Sequence, residues 1–172
     1  MEKPLILHML TPLPTMSPFD INMAIDAGYQ HVVPYGGIGL AQVAGMVQDA
    51  IFSRGPRGAK RTGIFIGGKD TGLALDMLAA ARKAMVPPFE VSVFADPAGA
   101  FTTAAAMVAC VERHLKARGG AVRGARVVAF GAKGVVGSLA GAILAGEGAE
   151  VTLVGYDGLQ GVDARAAEFK QR

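Results

Sequence analysis

Short apolar runs alternate with longer segments of helical spacing along the whole chain. Leu5 to Leu10 is such a run and ends at Thr11-Pro12, as a buried strand does. Ser17-Pro18-Phe19-Asp20 then supplies an N-cap, a proline at the first helical position and an acid in the first turn, and Gly28 closes that helix. His31 to Tyr35 reads as a second strand, ending in Gly36-Gly37, and Leu40 to Phe52 has helical spacing. Thr62 to Ile66 is a third strand, followed by a helix from Leu73 to Val86 that Pro87-Pro88 stops. Val91 to Phe94 is a fourth strand, and Thr102 to Arg118 is an Ala-rich helix whose last turns carry basic residues that complement its dipole. Met77 and Met85 fall at core positions.

Gly119-Gly120 opens a loop, after which the alternation resumes. Arg126 to Phe130 is a strand, Gly134 to Ala145 a helix, Val151 to Val154 a strand, and a last helix starts near Val162. This order predicts an α/β protein with parallel sheets and right-handed crossovers. We expect an N-terminal parallel-sheet α/β domain over residues 1–119, followed over 120–172 by the first βαβ half of a Rossmann-type dinucleotide-binding domain.

Composition supports a buried core: 51% of the 172 residues are hydrophobic and only 18% are charged. Aromatics are few, so the packing relies on short aliphatic side chains that let helices approach a sheet closely. The net charge of +3 is modest, and the basic stretches around Arg54 to Arg61 and Arg113 to Arg126 lack interleaved aromatics, which argues against a nucleic-acid partner. The single cysteine, Cys110, lies in an apolar run and is expected to be a buried helical thiol. With no disulfide, no signal-type N-terminus and no apolar run of about 18 residues, the expectation is a cytoplasmic protein without a membrane partner.

The strongest local motif is the turn Gly131-Ala132-Lys133-Gly134-Val135-Val136-Gly137 between a strand and a helix. Glycines there let the backbone bend tightly and offer amide N–H groups at a helix N-terminus to a pyrophosphate. In strict G-x-G-x-x-G register Ala132 stands in the first glycine's place, with Gly131 just before it. Asp157, about 20 residues after Gly137, closes the next strand, where a carboxylate reaches the adenosine ribose. The cofactor-binding candidates are therefore Gly131, Ala132, Lys133, Gly134, Val135, Val136 and Asp157. Asp157 favours NAD, because a carboxylate repels a 2′-phosphate, while Lys133 in the turn leaves NADP open.

In an open parallel sheet a ligand binds beyond the carboxyl ends of the strands. Four loops lie there, Thr11 to Ser17, Tyr35-Gly36-Gly37, Gly67 to Asp70 and Asp96 to Thr103, and the candidates on or beside them are Asp20, Tyr35, Gly67, Gly68, Lys69, Asp96, Thr102 and Thr103. Several have a purely structural alternative: Asp20 as a helix-start acid, Lys69 and Asp70 as a solvated turn, Thr102 and Thr103 as helix caps. Asp96, between a buried strand and Pro97, is the hardest to explain structurally. His8, His31 and His114 lack metal-ligand spacing, and no Ser-His-Asp or Cys-His set is evident, so no metal is expected.

The stretches His8 to Pro12, Met16 to Gly28, Asp49 to Arg54, Thr62 to Lys69 and Pro87 to Val108 resemble the bacterial NAD(P)-dependent methylenetetrahydromethanopterin dehydrogenases. The blocks RTGIFIGGK and VFADPAGAFTTAAAMVA carry the resemblance most specifically, and it extends through the cofactor half from Gly131 to Gly155. It is closest to the form that uses both NAD and NADP. Its NADP-restricted relatives carry Arg-Lys where Tyr156 and Asp157 stand here. The resemblance implies a one-carbon oxidoreductase, serving formaldehyde oxidation, that moves a hydride from a tetrahydromethanopterin-type pterin to NAD or NADP. It also implies a homo-oligomer, and a chain that stops short of the half cradling the nicotinamide. On this view Asp96 is the candidate catalytic carboxylate, stabilising positive charge on the pterin. A methylenetetrahydrofolate dehydrogenase, or another two-domain NAD(P) enzyme, shares the same chemistry and stays open beside it. So does a non-catalytic, truncated nucleotide-binding module.

Overall fold

The computed structural model describes residues 2–155 and 160–171. The chain divides into two compact units, Met1–Ala98 and Gly99–Arg172.

The first unit holds four parallel strands, β1 (Ile6–Leu10), β2 (His31–Tyr35), β3 (Thr62–Ile66) and β4 (Ser92–Ala95), in the order β2-β1-β3-β4. β1 is central, with Ile6 beside both His31 and Thr62, and Leu10 beside both Tyr35 and Ile66. Around it stand α1 (Pro18–Asp26), α2 (Leu40–Phe52), α3 (Gly55–Ala59) and α4 (Thr71–Lys83). The chain steps outward from β1 to β2, then returns past β1 to reach β3. With right-handed crossovers that reversal sends the flanking helices to opposite faces of the sheet.

The side chains follow this division. Leu7 and Met9 of β1 and Phe65 of β3 pack with Met16, Ile21 and Ala24 on the α1 side. The alternate residues Leu10, Ile64 and Ile66 are buried, as are Val43, Val47 and Ile51, which recur every fourth residue along α2, and Met77 of α4. α2 packs on α4, and both touch β3.

The helices open and close for local reasons. Pro18 is pre-set for the first turn of α1. α4 begins at Thr71, slightly before the apolar spacing indicates, because the Asp70 carboxylate accepts the Leu73 N–H at 3.0 Å. Met77 is fully buried, whereas Met85, beyond the end of α4, is only half-buried. Two of the basic residues near 54–61 act as clamps at the amino ends of the central strands. Arg54 donates to the Thr62 hydroxyl at 3.0 Å and to the Pro4 carbonyl at 2.6 Å, and Arg61 pairs with Glu2.

The second unit comprises α5 (Ala100–Lys116), β5 (Arg126–Phe130), α6 (Val135–Gly146), β6 (Glu150–Val154) and α7 (Gln160–Gln171). β5 and β6 pair in parallel from Arg126–Glu150 to Phe130–Val154. The division between units falls ahead of α5, not at Gly119-Gly120. The reason is packing: Ala100, Ala104 and Val108 form a short-chained stripe that joins Leu139, Ala140 and Leu144 of α6 in one core. Cys110 lies off that stripe and is exposed, contrary to the expected buried thiol. The β5 residues Val128 and Phe130 point away from this core and are 53% and 78% exposed. No helix among the described residues is long and apolar enough to cross a membrane.

Two substitutions test this packing. Met77→Ala should lower the unfolding free energy by about 2–5 kcal/mol, read from urea unfolding. Cys110→Ser should stay within about 0.5 kcal/mol, and a larger loss would mean that the thiol is packed after all.

Candidate functional site

Because the winding reverses at β1, the loops leaving the carboxyl ends of β1 and β3 diverge to opposite faces, and a crevice opens between them. A cavity of about 240 Å³ occupies it, lined by Leu13, Ser17, Phe19, Asp20, Gly68, Lys69 and Ala98. The first wall is the loop from Thr11 to Ser17, which the second strand's end holds in place. The Thr11 N–H donates to the Tyr35 carbonyl at 3.0 Å, and the Thr11 carbonyl accepts from Ile38 at 3.0 Å. The Leu13 N–H donates to the Thr11 hydroxyl at 3.2 Å, and the Leu13 carbonyl accepts from Gly37 at 2.7 Å.

The floor needs glycine. A Cβ on Gly67 would stand 3.2 Å from Met16 Sδ and 3.4 Å from an Asp20 carboxylate oxygen. Gly68 has φ +118°, a conformation that residues with a side chain rarely adopt. Opposite them, Asp96 follows β4 directly and is anchored by its N–H to the Ile66 carbonyl at 3.1 Å. Its side chain is only 7% exposed. Ala98, two residues on, has φ 54° without being glycine.

Asp20 and Asp96 therefore flank the end of β3 from two different elements. Burial, and then the negative charge of Asp96, push the Asp20 carboxyl above its ordinary range. A helix-start acid in water gains from the dipole, whereas this one is held against desolvation and a like charge.

The other candidates are placed as follows. Gly67, Gly68 and Lys69 reach the crevice with Asp20. Tyr35 does not line it. Its hydroxyl meets His8 Nδ1 at 3.1 Å in a separate cavity of about 330 Å³ under α2, shared with Met46, Asp49 and Ser53. Burial, and then the charge of Arg54, push the His8 imidazole below its ordinary value. Thr102 and Thr103 are exposed in the first turn of α5, in the second unit, and the Thr102 hydroxyl donates back to the Gly99 carbonyl at 3.4 Å. Leu13, Ser17 and Ala98, which line the crevice, belong to two of the four expected loops, whereas Phe19 lies outside all four. For Phe19 the available signal was an aromatic residue beside a helix-start acid in a loop-to-helix junction.

In the second unit the glycine turn joins β5 to α6. Gly131 takes the left-handed conformation, φ +69°, so the tight-turn role has moved one residue ahead of the strict register. Ala132 fits the next position because it is fully buried and its N–H is bonded to the Val154 carbonyl at 3.2 Å. Gly134 is the N-cap, and α6 begins with the backbone of Val135 and Val136. A Cβ on Gly137 would stand 2.8 Å from the Gly131 carbonyl oxygen, so only glycine lets the helix start approach the strand this closely. Lys133 runs across Gly161 at the start of α7, where a Cβ would collide with it. Asp157 lies outside the described residues. Among the described residues no three His, Cys, Asp or Glu side chains converge as metal ligands do.

The raised Asp20 value has a stability consequence. A native carboxyl that prefers its proton stabilises the fold in acid and loses that contribution as pH rises through its raised pKa. Asp20→Asn should therefore raise Tm by about 1–3 °C at neutral pH, with the gain vanishing toward the ordinary aspartate range. Thermal melts across that interval check it, and a pH-independent difference would refute the coupling.

Residues 18–98 match the family model for the methylene-tetrahydromethanopterin dehydrogenase N-terminal domain. The chain is 58% identical over 168 residues, 97% of its length, to the NAD(P)-dependent methylenetetrahydromethanopterin dehydrogenase of Methylorubrum extorquens. It is 39% identical over 141 residues, 82% of its length, to the bifunctional protein MdtA of the same organism. It spans 57% of the first relative and 48% of the second. Among solved structures, a cofactor-bound 3-phosphoglycerate dehydrogenase of Entamoeba histolytica aligns over 88% of this chain and 54% of its own, at 13% identity and a TM-score of 0.32, too low to carry an argument. The chain is thus similar along nearly its whole length to one protein named a methylenetetrahydromethanopterin dehydrogenase, and residues 18–98 match that family's N-terminal domain.

Proposed function

We propose that the chain is part of an NAD(P)-dependent methylenetetrahydromethanopterin dehydrogenase in which Met1–Ala98 takes the pterin and Gly99–Arg172 takes the dinucleotide. One observation carries the reading. The likeness to the Methylorubrum enzyme of that name runs, at 58% identity over 97% of the chain, through both the carboxylate crevice and the glycine turn. The same reading makes the protein a cytoplasmic homo-oligomer serving formaldehyde oxidation.

The reaction it implies balances simply. The methylene carbon, held between two pterin nitrogens, loses one hydrogen together with its bonding electron pair. The nitrogen lone pairs spread the positive charge left behind, which gives the methenyl form. NAD or NADP, when bound, supplies the carbon that accepts this hydride and is reduced. No proton has to leave, so the chain's task is to align the pterin, exclude water and place negative charge near the new cation.

Asp96, buried at the end of β4, is our candidate for that charge. Asp20, Gly67, Gly68 and Lys69 contact the pterin beside it, and Thr102 and Thr103 are further polar candidates. Gly131, Ala132, Lys133, Gly134, Val135 and Val136 hold the pyrophosphate. The space that a Gly137 Cβ would fill supports that fit, since it keeps the amide-bearing turn close to the helix start. Asp157 remains our candidate for the adenosine ribose.

The whole protein of which this chain is proposed to be part is assayed with methylenetetrahydromethanopterin and with NAD or NADP, following reduced nicotinamide in the near ultraviolet. Turnover is expected with both cofactors. Faster turnover with methylenetetrahydrofolate would favour the folate alternative, and absence of both turnover and millimolar cofactor binding would overturn the reading. Asp96→Asn should lower kcat about 10–100-fold with the KM for cofactor unchanged, whereas an unaltered kcat removes Asp96 from the mechanism. Gly137→Val should abolish cofactor binding in calorimetry while the protein still binds pterin.

A further inference from the structure

Phe19 stands at the second position of α1, between Pro18 and Asp20. Its neighbours Met16 and Ile21 turn into the core on the α1 side, but Phe19 is 66% exposed. A helix start in water is well served there by a polar side chain, and an exposed phenyl ring is a free-energy cost that the fold does not require. The ring forms one wall of the crevice beside Leu13.

Part of the crevice lining is thin. Gly68 has no side chain, and Ala98 offers only a methyl group from a left-handed backbone conformation, φ 54°. A non-glycine residue in that region is held against its preference by its surroundings, as happens at ligand clamps. The result is a small crevice whose lining combines an aromatic ring, two residues with little or no side chain, the Lys69 cation and a carboxylate next to the aromatic residue in sequence. Its volume of about 240 Å³ is below the usual range for a whole drug-sized ligand, so it suits one flat end group. A π-face and an adjacent carboxylate acceptor match a planar heterocycle with N–H donors on its edge.

We infer that Phe19 is the stacking wall for the pyrimidine half of the pterin ring, and that the Asp20 carboxylate reads that ring's N–H edge. This deepens the proposed function and rests on it for the identity of the heterocycle. Phe19 acts by positioning, so its effect belongs to binding and not to the hydride step.

The test is anaerobic calorimetry of the protein with a methyl-substituted tetrahydropterin that lacks the substrate's tail. Phe19→Ala should weaken binding about tenfold, Phe19→Tyr should stay within about threefold, and Phe19→Leu should fall between them. Asp20→Asn should weaken it by a similar factor. Met23→Ala, one turn along α1 and outside the cavity lining, should leave it unchanged. The exposed ring makes Phe19→Ala safe for folding, and an unchanged circular-dichroism melt verifies this. If Phe19→Ala binds like the parent while Asp20→Asn does not, the stacking inference fails and the crevice reading stands. If the parent binds no tetrahydropterin at millimolar concentration, both fail together. If Phe19→Ala lowers the oligomeric state in sedimentation and leaves the titration untouched, the ring belongs to a contact between copies and the inference is overturned.

Discussion

To reach β3 from β2 the chain has to pass β1, and what the first unit offers a ligand depends on that return crossing. Right-handed crossovers cannot reverse direction along a sheet without changing faces. Hence α1 packs on one side of β1, while α2 and α4 pack with β3 on the other. The loops at the carboxyl ends of β1 and β3 are pulled apart, and the residues between them lose their cover. Aliphatic side chains pack on both faces of β1 and β3 and support this arrangement.

Beside this gap the fold brings two carboxylates from separate elements, Asp20 and Asp96, close enough for one to act on the other. Each alone has a cheap solution in water, and bringing them together raises the cost of ionising Asp20. A fold selected for stability alone would separate them or replace one with an amide. That the crevice also holds Ala98 at φ 54° puts a second unfavourable local choice within one small region. Such clustering is expected where a site is shaped for a ligand and the surrounding core bears the cost.

Much of the architecture was legible from spacing alone. Strands β2, β3 and β5 begin and end where the apolar runs do, because glycine or polar residues bound each run. The alternating order also announced the parallel pairing. The membership of α5 was less visible, since an Ala-rich helix fits against any short-chained surface, and only its partner α6 decides which core it joins. Cys110 was misjudged because its apolar neighbours in sequence lie on other faces of the same helix. At the site, acids beside glycines singled out Asp20, Gly67 and Gly68, and the fold brings these three near one another. Tyr35 parted from them because loops that share one end of a sheet still open to different faces. The displaced first glycine could not be resolved from letters, since Gly131 and Ala132 exchange roles through backbone dihedrals that the sequence does not display.

The loop from Thr11 to Ser17 already spends its polar backbone groups at Thr11 and Leu13 on fixed partners from the Tyr35–Ile38 segment and on the Thr11 hydroxyl. A ligand entering the crevice therefore has little chain to immobilise. Its association is governed by shedding water from Phe19 and Leu13, which gives a negative heat-capacity change without the large entropic penalty of coupled folding. The wall behaves as a mould set during folding, and differences among ligands are expressed mainly in how quickly they leave.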